Sequence, residues 1–266
     1  MLNKYIFNDA LMYKKTVLTG GNTKDNCAYC PVNCIFCFQE NILKVNIPKM
    51  KDKLDYVDEK QLWFAINYLK SINYNGPIKI STGSAIMSSD PFSHPLIYKF
   101  LSILNKEFPN NIIETITSLT LLQEKYIDEL NSYKNLILYT SLYTLDDEKF
   151  QSIFGKCDMN KYKYKIKKCN KLFPWIACFD LHTLEKDLDL LISLNPIYKR
   201  SSLIRLEYTK YNNDLVKKYS NMSHFNYEKC IEYVINNYKD MFYQLYETDM
   251  IEKYKNHEYN MLQNYL

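Results

Sequence analysis

Cys27-Ala28-Tyr29-Cys30-Pro31-Val32-Asn33-Cys34-Ile35-Phe36-Cys37 places four thiols within eleven residues. Counted together, they are separated by two, three and two residues, which is one way to assemble a tetrahedral zinc site. Zinc modules usually hold their two thiol pairs about a dozen or more residues apart, so that two knuckles can face each other. The run also misses the bacterial ferredoxin pattern, whose two-residue gaps end in a three-residue gap and Cys-Pro. Counting only the last three thiols leaves Cys30-x3-Cys34-x2-Cys37, with the aromatic Phe36 just before the last. The other four cysteines, Cys157, Cys169, Cys178 and Cys230, stand singly. Secreted disulfide scaffolds are short and cysteine-dense, so a cluster in a long chain points instead to metal binding in a reducing compartment, and the expected location is the cytoplasm.

Outward from the cluster, short β-rich runs alternate with longer amphipathic ones. Val17-Leu18-Thr19, ending at Gly20-Gly21, reads as a first strand immediately before the thiols. Glu59 to Ile72 carries Leu62, Ala65, Ile66 and Leu69 at the spacing of one helix face. Pro77 to Ser81 follows an Asn75-Gly76 turn signal and reads as a strand. His94 to Phe108 is expected to be helical, with Pro95 in its first turn and Leu101, Leu104 and Phe108 buried. Ile112 to Ser118 is then a strand, Leu119 to Leu130 a helix and Leu136 to Leu142 a strand. One or two helices fall between Asp146 and Leu172, followed by a strand from Trp175 to Phe179 and a helix from Leu184 to Leu194. A last strand runs from Ser202 to Glu207. The tail from Tyr227 to about Tyr254 is expected to be helical, with Cys230, Ile231, Val234, Ile235 and Tyr238 to one side. Six strands each followed by a helix, with short connections, mean a parallel sheet with right-handed crossovers. Six units fall short of a closed eight-stranded barrel, so the expected fold is α/β: a partial (β/α)6 barrel in one domain over residues 1–266. A short extension (1–15) precedes it and a helical tail (about 225–266) ends it.

Bulk properties exclude several classes. The net charge of +4, from 34 basic and 30 acidic residues, is too mild for a nucleic-acid binder. No stretch approaches ~18 apolar residues, so no membrane span is expected, and the first residues have no signal-peptide pattern. On a helix, the lysine-rich run Lys161 to Lys171 puts Tyr162, Ile166, Cys169 and Phe173 on one face and its lysines on the other, a solvated surface rather than a phosphate site.

The spacing Cys30-x3-Cys34-x2-Cys37 with Phe36 resembles the CxxxCxφC motif of the radical S-adenosylmethionine (radical SAM) superfamily, and it lies where that family carries its cluster loop, after the first strand. The resemblance extends from about Val17 to Tyr208. It implies a 4Fe–4S cluster on Cys30, Cys34 and Cys37, with one iron left open to the amino and carboxylate groups of S-adenosyl-L-methionine. One electron from the reduced cluster, supplied by a flavodoxin or ferredoxin-type donor, would break a carbon–sulfur bond and give a 5′-deoxyadenosyl radical. Cys27 would be a spare thiol. Where the family has a GGE-like turn after the second strand, this chain has Ser81-Thr82-Gly83-Ser84. Gly83 suits the turn but the glutamate is absent, leaving Ser81, Thr82 or backbone groups to hold the methionine amine. Ser141, in Thr140-Ser141-Leu142, resembles the family's polar stop at the cofactor, and Ser118 ends the preceding strand. For these hydroxyls a strand-end cap is the competing reading.

Polar groups at the remaining strand ends should face the same site. Asp180 and His182 follow the fifth strand, and Arg205 and Glu207 lie in the sixth. Asp180, His182 and Glu207 are the candidate catalytic groups, and Asp180, Arg205 and Glu207 the candidate substrate contacts. Against this, His182 can serve as a helix cap, and Arg205 and Glu207 can pair with each other. Without a second cysteine cluster or an RNA-binding module, the expected substrate is small. In size, bare core and atypical turn the chain looks similar to the queuine lyases, which release a deazaguanine precursor from queuine. A glycyl-radical activase and a non-catalytic zinc protein remain alternatives. The tail, with Tyr238, Phe242, Leu245, Tyr246 and Met250, is expected to pack on the core; its other reading is a homodimer face.

Overall fold

In a computed structural model, the residues described are 58–80, 90–155, 157–178, 181–194, 202–205 and 224–237. The first predicted strand, the cysteine cluster, the Ser81–Ser84 turn, Asp180, Glu207 and the tail beyond Asn237 lie outside them. Two compact units divide between Tyr139 and Thr140, within one continuous strand.

The first unit opens with helix α1 (Glu59–Ser71), which buries the four residues its periodicity marks, Leu62, Ala65, Ile66 and Leu69. A reciprocal cap starts it: Gln61 N–H donates to Asp58 Oδ1 at 2.8 Å, and Asp58 N–H donates to Gln61 Oε1 at 2.9 Å. Strand β1 (Ile78–Ile80) follows a turn in which Tyr74 packs so closely on Gly76 that a Cβ there would lie 2.6 Å from the phenol oxygen. A 3-10 turn (Pro91–Ser93) leads into helix α2 (Ile97–Glu107), with Phe100, Leu101 and Leu104 fully buried. The helix begins three residues after the expected His94. As the residue before Pro95, His94 is held extended, and its Nδ1 accepts the Leu96 amide at 3.1 Å. Strand β2 (Ile113–Thr117) pairs in parallel with β1, with Lys79 in register with Glu114.

The expected helix from Leu119 to Leu130 is mostly absent. A 3-10 turn (Glu124–Tyr126) precedes a short helix α3 (Ile127–Ser132). Leu119 has a positive φ outside the helical region, and Gln123 N–H, which a helix from Leu119 would bond to the Leu119 carbonyl, donates instead to the Tyr98 hydroxyl (2.7 Å). Strand β3 (Leu136–Leu142) has the predicted limits and continues the order β1–β2–β3.

In the second unit the order continues from β3 through β4 (Leu172–Cys178) to β5 (Ser202–Arg205). Strands β4 and β5 are parallel, with Cys178 in register with Arg205. The interval after β3 holds two helices, α4 (Asp147–Phe154) and α5 (Met159–Lys168), each capped by an aspartate: Asp146 takes the Lys149 amide and Asp158 the Lys161 amide. Phe150 is fully buried, its ring 4.8 Å from that of Phe154 and 4.6 Å from that of Tyr162. Tyr162, Ile166, Cys169 and Phe173 are all buried as expected, but α5 ends before Cys169. The opposite face is not wholly solvated: Lys165 is buried, and Lys163 pairs with Asp147 at 3.4 Å. Helix α6 (Leu181–Leu194) buries Leu184, Leu188 and Leu191, and helix α7 (His224–Asn237) buries Cys230 and Val234. Among the described residues no helix is long and apolar enough to cross a membrane.

Buried phenols make the fold sensitive to alkali. Burial lifts Tyr98, Tyr139 and, to about 12, Tyr133, whose hydroxyl also donates to Glu129. Each contributes stability that is fully present below the unfolded phenol pKa of about 10 and is lost as pH rises through the folded value. Thermal unfolding midpoints should therefore fall steeply between about pH 10 and 12, less so in Tyr133→Phe; a midpoint unchanged across that window would contradict this linkage.

Candidate functional site

Active sites of parallel α/β barrels gather at the C-terminal ends of their strands. At the end of β2 the organising group is Asp90, which is 5% exposed. Its extended backbone caps the 3-10 turn, with Phe92 N–H donating to Oδ1 at 3.0 Å. Oδ2 accepts both the amide (2.7 Å) and the hydroxyl (2.6 Å) of Ser118, and also the Thr117 hydroxyl at 3.0 Å. The Ser118 hydroxyl lies 2.7 Å from that of Thr120. Burial raises the Asp90 pKa, and the donors from Ser118, Phe92 and Thr117 oppose that rise without cancelling it. Leu119, next along the chain, has φ of +67°, a conformation disfavoured for a side chain of its size. The hydrogen bond its N–H donates to the Thr117 hydroxyl and its complete burial accompany that conformation.

Strand β3 ends in a comparable arrangement built around Asp187 of α6. Leu145 N–H donates to Asp187 Oδ1 at 2.9 Å, the Thr144 hydroxyl bonds the same carboxyl, and Asp146 N–H donates to Thr144 Oγ1 at 3.1 Å. Burial again raises the carboxyl's pKa against these donors. Within β3, Leu136, Leu138, Thr140 and Leu142 are buried, whereas Ile137, Tyr139 and Ser141 form a half-open face. Ser141 thus sits on the less covered side.

Of the expected site residues, Ser118 is bound into the Asp90 network and Ser141 lies on the half-open face of β3. His182 is exposed in the first turn of α6, and Arg205 closes β5 at its register position. Ser81, Thr82, Gly83, Asp180, Glu207, Cys30, Cys34 and Cys37 lie outside the described residues. Among the described residues no three His, Cys, Asp or Glu side chains converge as a metal site. Asp90, Asp187 and Glu114 were not singled out by sequence. Asp90 is 27 and 28 residues from its hydroxyl partners and Asp187 is 42 from Leu145, distances at which no local spacing pattern exists.

No family model and no curated protein matches the chain. Solved structures do. Streptococcus suis SuiB bound to S-adenosylmethionine has a TM-score of 0.61 at 14% identity, over 93% of this chain and 54% of that one. SuiB was also solved with its precursor peptide SuiA. The anSMEcpe structure with bound AdoMet and the Cp18Cys peptide has a TM-score of 0.52 at 15% identity, over 83% of this chain and 57% of that one. A spore photoproduct lyase variant has a TM-score of 0.51 at 9% identity, over 87% and 81% respectively. The chain spans about half the length of SuiB. At these identities the likeness is one of fold: α/β with parallel strands, of the radical SAM (β/α)-barrel type.

The Asp90 network makes a direct prediction. Both Asp90 oxygens accept, so Asp90→Asn sets an N–H₂ against a donor in either orientation; urea unfolding should show a loss of about 1–3 kcal/mol, with about 1 kcal/mol for Thr117→Val. Equal, negligible losses for both would show that the carboxylate does not organise this strand end.

Proposed function

We propose that the chain is a radical SAM enzyme, a single domain that holds a 4Fe–4S cluster on Cys30, Cys34 and Cys37 and acts on a small molecule, with queuine cleavage at its carbon–nitrogen bond as the preferred reaction. The observation that carries the reading is the Cys30-x3-Cys34-x2-Cys37 spacing with Phe36, in a chain whose fold is that of S-adenosylmethionine-binding enzymes. Three thiolates suit a cluster with one iron open to a substrate-like chelator, and the bound group supplies one-electron reduction of the sulfonium.

The chain's own residues position and shield. Ser81, Thr82 and Gly83 would hold the methionine end of the cofactor. Ser141, on the half-open face of β3, would meet its ribose or carboxylate. Ser118 gives its hydroxyl proton to Asp90, so in this reading it contributes its place at the end of β2 rather than an outward donor. Asp180, Arg205 and Glu207 would bind the diol or amine of the substrate, and His182 would carry protons.

A peptide substrate is the second reading, favoured by the peptides bound in the SuiB and anSMEcpe structures.

The test is anaerobic: reconstitution with iron and sulfide, reduction by dithionite, addition of S-adenosylmethionine and quantification of 5′-deoxyadenosine. Formation that is abolished in Cys34→Ala is the expected result. A colourless protein with one tight zinc and no deoxyadenosine would replace it with the zinc-binding alternative. With queuine added, release of the aminomethyl-deazaguanine is expected, and Glu207→Gln should lower turnover by about tenfold or more with the cluster intact. Deoxyadenosine formation without that product would leave the cofactor chemistry and remove queuine.

A further inference from the structure

The turn before β1 is closely packed, and the packing dictates its sequence. A side chain at position 76 would have to displace the Tyr74 phenol, which is held by the hydrogen bond it donates to the Pro77 carbonyl at 2.8 Å. Glycine relieves that conflict. The residue before it is Asn75, exposed to solvent. Among the described residues, neither the Asn75 side chain nor the Gly76 N–H has a hydrogen-bond partner. Asn73 is exposed as well, but the amide that follows it is engaged: Tyr74 N–H donates to the Leu69 carbonyl at 3.0 Å.

An asparagine amide can acylate the next backbone nitrogen along the chain. Attack of Gly76 N on Asn75 Cγ makes the carbon–nitrogen bond of a cyclic imide and breaks the bond to the side-chain nitrogen. That nitrogen leaves as ammonia, carrying the proton of the Gly76 N–H. Water then opens the imide at either carbonyl, giving aspartate or isoaspartate. One water enters, one ammonia leaves, and nothing is oxidised or reduced. Glycine puts no side chain beside the attacking nitrogen, and an N–H without a partner loses no hydrogen bond in reacting.

The same turn ties the sheet together. Asn111 Nδ2 donates to the carbonyl oxygens of Tyr74 (3.1 Å) and Gly76 (3.0 Å), bracketing Asn75. Beside it, Ile78 N–H donates to the Ile112 carbonyl at 2.7 Å, and Asn135 Nδ2 donates to the Asn111 carbonyl at 2.7 Å. An isoaspartate adds a methylene to the main chain between the two bracketed carbonyls, so Asn111 cannot hold both in their present places. These contacts lie at the N-terminal ends of the strands, the end of a parallel barrel that serves stability.

We propose that Asn75-Gly76 is a covalent modification site that deamidates spontaneously in the folded protein, and that its isoaspartate product loosens the N-terminal ends of β1 and β2. The inference does not depend on the cofactor or substrate proposed above.

The full chain is aged in mildly alkaline buffer and digested with trypsin, alongside a synthetic peptide of residues 71–79, which holds both Asn73 and Asn75. Mass spectrometry locates the amide-to-acid conversion, and labelling by protein-isoaspartate methyltransferase identifies the product. In the folded chain Asn75 should convert, and Asn73 at least about tenfold more slowly, the difference that one engaged amide makes. Conversion of Asn75 in the peptide but not in the folded chain, or equal conversion at Asn73, would overturn the site. Aged chain carrying isoaspartate should unfold at a lower temperature than fresh chain, and an unchanged midpoint would overturn the effect on the sheet. Asn75→Gln, whose longer side chain does not close this ring, should keep the midpoint of the fresh protein throughout. A fall on ageing that this variant shares would remove Asn75 as its cause.

Discussion

A carboxylate removed from water must be surrounded by donors, and Asp90 meets that demand with groups drawn from two separate stretches of chain. The Phe92 amide comes from its own capping turn, while Thr117 and Ser118 come from the end of β2. Much of the surrounding local structure follows. The turn before α2 starts at Asp90 because its side chain satisfies the first free amide. Once Ser118 N–H and the Thr117 hydroxyl are committed, the chain after β2 turns through Leu119 at positive φ rather than coiling directly into a helix. The helix that periodicity places there is thereby shortened to Ile127–Ser132. A few strong side-chain bonds outweigh an amphipathic pattern extending over some twelve residues.

Legibility in the sequence followed the range of the forces involved. Helix α1 was readable because burial of one face repeats every three or four residues, and β3 because its apolar positions alternate. The sequence places the start of β4 at Trp175, whereas the strand begins at Leu172. Pro174 cannot donate a ladder hydrogen bond, which weakens the strand signal of the residues before Trp175. The start of α2 was misplaced for a related reason. Pro95 suits a first turn, but it also forces His94 to be extended. The cysteine run offers a ligand reading because ligand spacing is local, and it lies outside the described residues. The carboxylates were not, because Asp90 and Asp187 acquire their meaning from partners that only folding brings to them.

That difference changes how the strand-end hydroxyls should be read. Thr117, Ser118, Thr140, Ser141 and Thr144 look equivalent in sequence: small hydroxyls near the ends of strands. In the fold they separate. Thr117 and Ser118 serve Asp90, Thr144 serves Asp187, and Thr140 is buried on the covered side of its strand. Ser141 alone of these combines a half-open face with a place near the end of β3. In the proposed cofactor reading, Ser141 is the hydroxyl of this set that would serve, Ser118 being already bonded to Asp90. The competing idea, that all such hydroxyls are caps, accounts well for the other residues.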